Sequence, residues 1–311
     1  MNLQTEINHF LDTFDRSPST LVAYRNALAQ FVRIVGDDAE LDTQTYIKFL
    51  AVFKNHSPST QRVYRTAVLK LYVFCKAGDW MELKEATDHY THRPGKRIIN
   101  FNREAVESVI AYCATLHGNG STSPSINLAD LRDRAFVLTL ADTGLRISEA
   151  CALTRGDVDW QEHHAVIIGK GDKQAMIYFS NRSIEALKDY LRSRGSVEPN
   201  SRSPLATQPL FARHDIRASK HVCPITSSGM WKAVKARMTE AGVDHHLVRI
   251  HDFRHYFVTM TYLAKKDLKL SQELARHESI ATTNRYTHFA GDADRAYDEI
   301  FNPAHGQNPT P

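Results

Sequence analysis

The tetrapeptide Ser-Pro-Ser-Thr occurs twice, at 17–20 and 57–60, and each copy leads to a Tyr-Arg pair, Tyr24-Arg25 and Tyr64-Arg65. A serine that caps orphan N–H groups, followed by a proline in the first turn where no donor is needed, is a helix start with a physical cause. The residues after each copy have helical period. After Ser57 the apolar positions Val63, Tyr64, Ala67, Val68, Leu71, Phe74 and Cys75 form one stripe, with Arg62, Thr66 and Lys70 on the other face. Similar stripes run through 7–14, 21–35 and 46–53. Residues 1–92 are therefore expected to form a bundle of about four short helices. Capping alone accounts for both Ser-Pro-Ser-Thr segments. Helix N-termini with flanking arginines also suit DNA phosphates, and the two roles are compatible.

Thr-His-Arg-Pro-Gly-Lys-Arg at 91–97 interrupts the pattern with Pro, Gly and three basic side chains. This predicts an interdomain linker at 93–99 and a second domain at 100–311. The second domain opens with a helical pattern at about 102–116, a polar Gly/Ser-rich loop at 117–125 and a largely buried helix at 130–143. The period then changes. Two β-rich runs, 165–168 and 176–179, flank the turn Gly169-Lys170-Gly171-Asp172-Lys173, a hairpin signal. Helical patterns return at 183–194, 226–241, 251–265 and 270–277. Ala293, Tyr297, Ile300 and Phe301 form a last apolar stripe, on a short helix at about 292–301 that Asn302-Pro303 stops. Residues 304–311 read as disordered. The expected class is mainly α (α+β), two helical domains with one small antiparallel sheet.

With 42% hydrophobic and 24% charged residues the chain has the composition of a globular protein. No apolar run approaches the roughly 20 residues needed to span a bilayer. The N-terminus lacks the basic-then-apolar order of a signal peptide. Cys75, Cys113, Cys151 and Cys223 have no paired spacing, which argues against a disulfide framework or a zinc knuckle. A reduced, cytoplasmic setting is expected. The net charge of +4 is compatible with a polyanionic partner. Yet residues 1–92 hold ten Lys/Arg against eleven Asp/Glu, so a phosphate-binding surface there must come from arrangement.

Three islands carry candidate chemistry. In Thr143-Gly144-Leu145-Arg146-Ile147-Ser148-Glu149, a glycine after an apolar helix precedes Arg-x-x-Glu at the start of another, and places Arg146 and Glu149 on one face. In His251-Asp252-Phe253-Arg254-His255-Tyr256, His251 and Arg254 share a face, with Phe253 and Phe257 expected on the buried side. A His and an Arg so placed both donate to an anion. His251 and His255 also have the i,i+4 spacing of metal ligands, with His245-His246 nearby, but no Glu lies between them and the adjacent Arg opposes a dication. The third island is His277 through Tyr286, nine residues apart. A tyrosine in such a loop is by itself an ordinary packing residue.

Taken together the islands suit one reaction. Attack on a phosphodiester adds charge to its non-bridging oxygens, and two guanidiniums on those oxygens stabilise that state above the ground state. Ionising a tyrosine of ordinary pKa at neutral pH costs on the order of 4 kcal/mol, which a cationic field and a His base can supply. The leaving 5′-oxygen needs a proton donor, which Lys170 on the hairpin turn can provide. No carboxylate cluster for Mg²⁺ and no phosphate-binding Gly-x-x-x-x-Gly-Lys-[Ser/Thr] loop is present, and no cofactor is expected.

The order Arg-x-x-Glu, Gly-Lys-Gly-x-Lys, His-x-x-Arg, then His and Tyr, resembles the tyrosine recombinase (phage integrase/Xer) family across most of residues 100–290. The resemblance implies that Arg146 and Arg254 hold the scissile phosphate and that Lys170 is the general acid. It implies that His251 assists proton transfer, His277 bonds a non-bridging oxygen and Tyr286 attacks to form a 3′-phosphotyrosine, with Glu149 as a buttress. The helical N-terminal domain would be a core-binding domain, with Arg25, Arg62, Arg65, Lys70, Arg93, Lys96, Arg97 and Lys173 as candidate DNA contacts. The partners implied are double-stranded DNA with a core site and three further copies of the chain, a tetramer on two duplexes joined through a Holliday junction, with a second recombinase or accessory proteins possible. The helix at 292–301 would dock on a neighbouring protomer. The chain starts directly in the core-binding domain, which suits a simple Xer-like or mobile-element enzyme acting in integration, excision or resolution. One departure concerns the family's frequent Leu-Gly-His, which is Ala275-Arg276-His277 here; the glycine is lost and Arg276 is a candidate extra phosphate contact. Type IB topoisomerase-like relaxation, a catalytically silent DNA-binding regulator and a metalloenzyme on His245, His246, His251 and His255 are the alternatives.

Overall fold

The computed structural model describes residues 2–77, 80–87, 101–116, 128–169, 174–195, 203–215, 218, 222–277 and 279–286. The chain divides into two units, Met1–Arg97 and Ile98–Pro311.

Five helices build the described part of the first unit: α1 (Leu3–Thr13), α2 (Pro18–Val35), α3 (Thr43–Val52), α4 (Pro58–Phe74) and α5 (Trp80–Thr87). This is one more than the sequence pattern suggests. Side-chain caps start most of them. Asn2 accepts from the Thr5 N–H, Asp42 from Thr45 and Ser57 from Thr60. In both Ser-Pro-Ser-Thr segments the serine hydroxyl lies 2.9 Å from the threonine hydroxyl three residues on, but only Ser57 also caps the backbone and Ser17 does not. The core is aromatic, with Phe31, Tyr46, Phe49 and Tyr72 buried among Leu28, Ala67, Val68 and Leu71. Its two inner tyrosines keep their hydroxyls satisfied: Tyr46 donates to the Arg65 carbonyl at 3.1 Å and Tyr72 to the Asp42 carbonyl at 2.9 Å. The expected stripe of α4 holds at Ala67, Val68 and Leu71, with Tyr64, Phe74 and Cys75 partly buried, and differs at its edges. Tyr72 is inside and Val63 is 36% exposed.

The second unit contains α6 (Arg103–Ala114), α7 (Leu128–Thr143), α8 (Ile147–Ala152), α9 (Asn181–Arg194), α10 (Ser227–Glu240), α11 (Asp252–Lys265), α12 (Leu268–Ala275) and α13 (Ile280–Thr283). Between α8 and α9 lies an antiparallel sheet, β1 (Val158–Asp159), β2 (His164–Ile168) and β3 (Gln174–Tyr178), in the order β1-β2-β3. The hairpin β2–β3 pairs Val166 with Met176 and Ile168 with Gln174. Alternation buries Ala165, Ile167 and Ile177, the inward face of a one-sided sheet. Strand β1 adds to the expected hairpin, since two residues leave no periodicity to read. Helix α7 is the central element, buried nearly all round and packed against α6, α9 and α11. It even takes a charged pair inside: Arg132 donates to Asp133, which also accepts from Arg237 of α10 at 2.9 Å. The linker 93–99, the loop 117–125, the turn residues Lys170 and Lys173, and the helix at 292–301 lie outside the described residues, as do residues 304–311. No helix of the described residues is long and apolar enough to cross a membrane.

Candidate active site

The site is organised around the end of α7. Gly144 follows its last turn with φ +62°, the left-handed region where a Cβ is costly, and a Cβ built there would lie 2.4 Å from the Phe257 ring. Both backbone and space therefore require glycine. With the backbone turned this way, the Gly144 carbonyl accepts from Arg254 Nη1 at 2.6 Å and from Arg276 Nη2 at 3.2 Å. A second carbonyl, that of Ala275, accepts from Arg254 Nη2. Arg254 is only 2% exposed, so these bonds fix a buried guanidinium whose pKa burial and then the neighbouring Arg146 and Arg276 push down to about 10.

Two residues past Gly144, Arg146 stands at the N-cap of α8. Glu149, three residues on, accepts the Arg146 backbone N–H at 2.9 Å with one oxygen and its guanidinium at 2.6 Å with the other. Burial alone would raise the Glu149 carboxyl. The bonds from Arg146 and the Arg276 charge overcome that and hold it below its ordinary value. Arg276, at the C-cap of α12, has Nη2 3.5 Å from Glu149 Oε2.

Three histidines and a tyrosine complete the group. His277 Nδ1 lies 2.8 Å from the Thr283 hydroxyl, and its ring stacks near that of Tyr286 at 6.2 Å. Tyr286 is 2% exposed, and its hydroxyl is 2.6 Å from His255 Nδ1. His251 sits at the N-cap of α11, exposed, with its ring 5.0 Å from that of His255. Burial, then neighbouring positive charge, lowers His255 and His277 to about 4 and lowers His251 as well. All three are therefore neutral at pH 7. Burial pushes Tyr286 up to about 12, against the pull of Arg254 and Arg285.

Arg146, Glu149, Gly169, Arg276, His277 and Thr282 line a cavity of about 460 Å³. Arg254 is buried within electrostatic reach of Arg146, Arg276 and Glu149, so three guanidiniums are grouped with one carboxylate, an excess of two positive charges. Such a pocket is built for an anion, and a phosphate diester has the matching geometry.

Of the residues singled out in the sequence, Arg146, Glu149, His251, Arg254, His277 and Tyr286 are brought together here. Lys170 and Lys173 lie outside the described residues, although Gly169 and Gln174, which bracket that turn, both line the cavity. Sequence periodicity misplaces one detail: Arg254 is itself buried and Phe257 only partly so, because two carbonyls and the Gly144 turn receive the guanidinium. His255, which its spacing marks only as a metal-ligand candidate, is instead the partner of Tyr286. The described groups of three metal-ligating side chains reduce to Asp244, His245 and His246, all exposed and none of them lining the cavity. The signal for His255 is its position one helical turn after His251, the same spacing taken in another way. In the first unit Arg25 and Arg62 are exposed, Arg65 donates to the Lys84 carbonyl at 3.1 Å and Lys70 Nζ lies 5.3 Å over the Phe14 ring. Arg93, Lys96 and Arg97 lie outside the described residues.

The phage integrase family model matches residues 100–292, the stretch that carries Arg146, Glu149, His251, Arg254, His255, Arg276, His277 and Tyr286. The chain belongs to the phage integrase family. The likeness to known proteins extends over nearly the whole chain. The chain is 28% identical to tyrosine recombinase XerC of Herpetosiphon aurantiacus, over 96% of this chain and 94% of that protein. It is 27% identical to tyrosine recombinase XerD of Mycobacterium leprae over 92% of each. Among solved structures, XerH site-specific recombinase bound to a palindromic difH substrate in a post-cleavage complex aligns with TM-score 0.65 at 20% identity, covering 96% of this chain and 84% of that one. At that identity the likeness carries the fold, which is the tyrosine recombinase fold.

Proposed function

We propose that Tyr286 is the nucleophile of a site-specific tyrosine recombinase, attacking a DNA phosphodiester held by Arg146 and Arg254. The chain is a DNA strand-transfer enzyme of the phage integrase family, and double-stranded DNA is its substrate. What carries the residue-level reading is the cavity shared by Arg146, Arg276 and His277, with the Arg254 guanidinium buried on the Gly144 carbonyl beside it and the Tyr286 hydroxyl 2.6 Å from His255 Nδ1.

The chemistry rests on the protonation states. A tyrosine with a pKa near 12 would cost about 7 kcal/mol to ionise in advance at pH 7, too much for a standing phenolate. The proton must leave as the oxygen attacks. In the tautomer of neutral His255 that carries its proton on Nε2, Nδ1 accepts from the Tyr286 hydroxyl at 2.6 Å, so it receives that proton, and His251 in the next ring passes it towards solvent. The Tyr286 oxygen bonds to phosphorus as the bond to the 5′-oxygen breaks, and the departing oxygen takes its proton from Lys170. Arg146 and Arg254 bear the charge that develops on the non-bridging oxygens. His277 is neutral. In the tautomer whose Nδ1 accepts from the Thr283 hydroxyl, the single N–H is on Nε2 and donates to the phosphate. The product is a 3′-phosphotyrosine and a free 5′-hydroxyl, and attack by a 5′-hydroxyl from the other duplex reverses the chemistry and restores Tyr286. The bond energy is conserved, so neither ATP nor a metal is called for.

In this mechanism the first unit holds the core site, with Arg25 and Arg62 as its exposed cations, and four protomers exchange strands on two duplexes in the cytoplasm. The XerC and XerD names of the relatives and the post-cleavage state of XerH support it. The test is covalent capture. A nicked suicide duplex should trap an SDS-resistant protein–DNA adduct with the native chain and none with Tyr286→Phe. An adduct that persists in Tyr286→Phe would overturn the assignment.

A further inference from the structure

Arg276 is out of place as a merely structural residue. Its backbone is left-handed, φ +55°, where an L side chain is strained and glycine is not. Its side chain is nonetheless long, charged and only 10% exposed. It also packs beside two other arginines, Arg146 and Arg254, whose charges oppose its own. A short neutral residue would avoid the backbone strain, the desolvation and the repulsion together. Strain that persists beside a cavity is a pointer to function.

The hydrogen bonds of Arg276 are half made. Nη2 reaches the Gly144 carbonyl at 3.2 Å, an acceptor it shares with Arg254, and Glu149 Oε2 at 3.5 Å, an acceptor it shares with Arg146. Both contacts are made by one nitrogen and share their acceptors with Arg254 and Arg146. Nη1 is buried and has no hydrogen-bond partner among the described residues. A buried guanidinium nitrogen left unpaired is costly, and the residue lines the cavity in which Arg146 and His277 also stand.

We propose that Arg276 is a third phosphate-binding guanidinium, whose Nη1 donates to a non-bridging oxygen of the scissile phosphate while Nη2 stays on Glu149 and Gly144. This rests on the strand-cleavage mechanism above. A monoanionic diester gains a second negative increment as it becomes pentavalent, and the excess of two positive charges in the cavity matches that state better than the ground state. Arg276 therefore acts on the rate of cleavage more than on DNA affinity.

The test compares the native chain with Arg276→Gly, which suits the left-handed backbone, and with Arg276→Lys, on suicide duplexes. One duplex carries an ordinary scissile phosphate, and two carry the separate methylphosphonate diastereomers, in which a methyl group replaces one non-bridging oxygen. On the ordinary phosphate Arg276→Gly should cleave about tenfold to a hundredfold more slowly, with Arg276→Lys in between and DNA binding in gel shift within about twofold of native. On the diastereomer that lacks the oxygen held by Arg276, the native chain and Arg276→Gly should cleave alike. Equal cleavage of the ordinary phosphate by both proteins would overturn the proposal. So would an equal loss on all three duplexes, which is what a structural prop for Glu149 would produce. Failure of the native chain to form any adduct on the ordinary phosphate would instead strike the strand-cleavage mechanism itself.

Discussion

His255 Nδ1 and the Tyr286 hydroxyl stand 2.6 Å apart, with Tyr286 only 2% exposed and His255 lowered to about 4 by burial and by the charges around it. The histidine nearest the proposed nucleophile is therefore the residue one turn after the His-x-x-Arg histidine. The low pKa has a use: a base that stays unprotonated through the whole neutral range is ready to accept a proton at every encounter with DNA.

The pH profile of cleavage should show this. A histidine of ordinary pKa would be half protonated, and half lost as a base, near pH 6.5. With His255 at about 4, the rate on a suicide duplex should hold from pH 8 down to about 5.5 and fall only as pH approaches 4. His255→Gln, which keeps a hydrogen bond to Tyr286 but accepts no proton, should lower the rate about a hundredfold and flatten the profile. A native acid limb centred near 6.5 would argue that another histidine is the base.

Folding stability should track the same groups. His255, His277 and His214 all have folded pKa values near 4 against 6.5 for a free histidine. The unfolded chain thus binds protons first as pH falls. Their contribution is fully present above about pH 6.5 and is lost between 6.5 and 4, on the order of 1–2 kcal/mol for each group once solvent screening is allowed for. Chemical denaturation at pH 7.5, 6 and 5 should give a midpoint that drops across this window. A constant midpoint would show that these rings are not buried as described.

Gly144→Ala should be among the most damaging small substitutions in the chain. It adds a left-handed backbone cost of about 1–2 kcal/mol and pushes a methyl group against the Phe257 ring, which a Cβ would approach to 2.4 Å. Losses of about 3 kcal/mol in stability are expected, together with loss of cleavage, because the same carbonyl holds Arg254. Adding Phe257→Ala should recover part of the packing loss and none of the backbone cost. A thermally unaltered Gly144→Ala would contradict the turn described for this position.

Glu149→Gln tests the buttress. The amide keeps an oxygen for the Arg146 N–H but removes the only carboxylate that faces three guanidiniums among the described residues. Cleavage should fall about tenfold while the protein stays folded, and Arg146 should tolerate replacement less well in this background than in the native one. Additive losses in Glu149→Gln, Arg146→Lys and their double variant would show that the two residues act separately.

The proposal that Lys170 is the general acid rests on its place in the hairpin motif. Lys170→Ala should slow cleavage of a normal 5′-oxygen far more than cleavage of a bridging 5′-thio duplex, whose leaving group needs no proton. Equal slowing on both would move the acid to Lys173 or elsewhere.

Much of the fold and the site is legible in the chain. Helix starts at Asn102, Ser180 and Thr226 are capped as the residue types demand, and strand alternation in β2 buries Ala165 and Ile167. The order Arg146, His251, Arg254, His277, Tyr286 marks the site because the chemistry of phosphodiester transfer needs that set of donors and that nucleophile. The features that stay hidden have physical causes. The burial of Tyr72 goes with a long-range bond to the Asp42 carbonyl, thirty residues away. The two-residue strand β1 has no period of its own.

The sequence by itself determined which side chains are available: local caps, periodicities and motif order are carried within a few neighbouring residues. Only the tertiary structure decided how those side chains divide the work. Gly144 turns a carbonyl towards Arg254 and Arg276 across more than a hundred residues of chain. Burial then sets which histidines are neutral, and packing of α11 against the last turn of the site places His255, not His251, on Tyr286. Desolvation and cross-chain hydrogen bonds are properties of the packed state, and no local pattern encodes them.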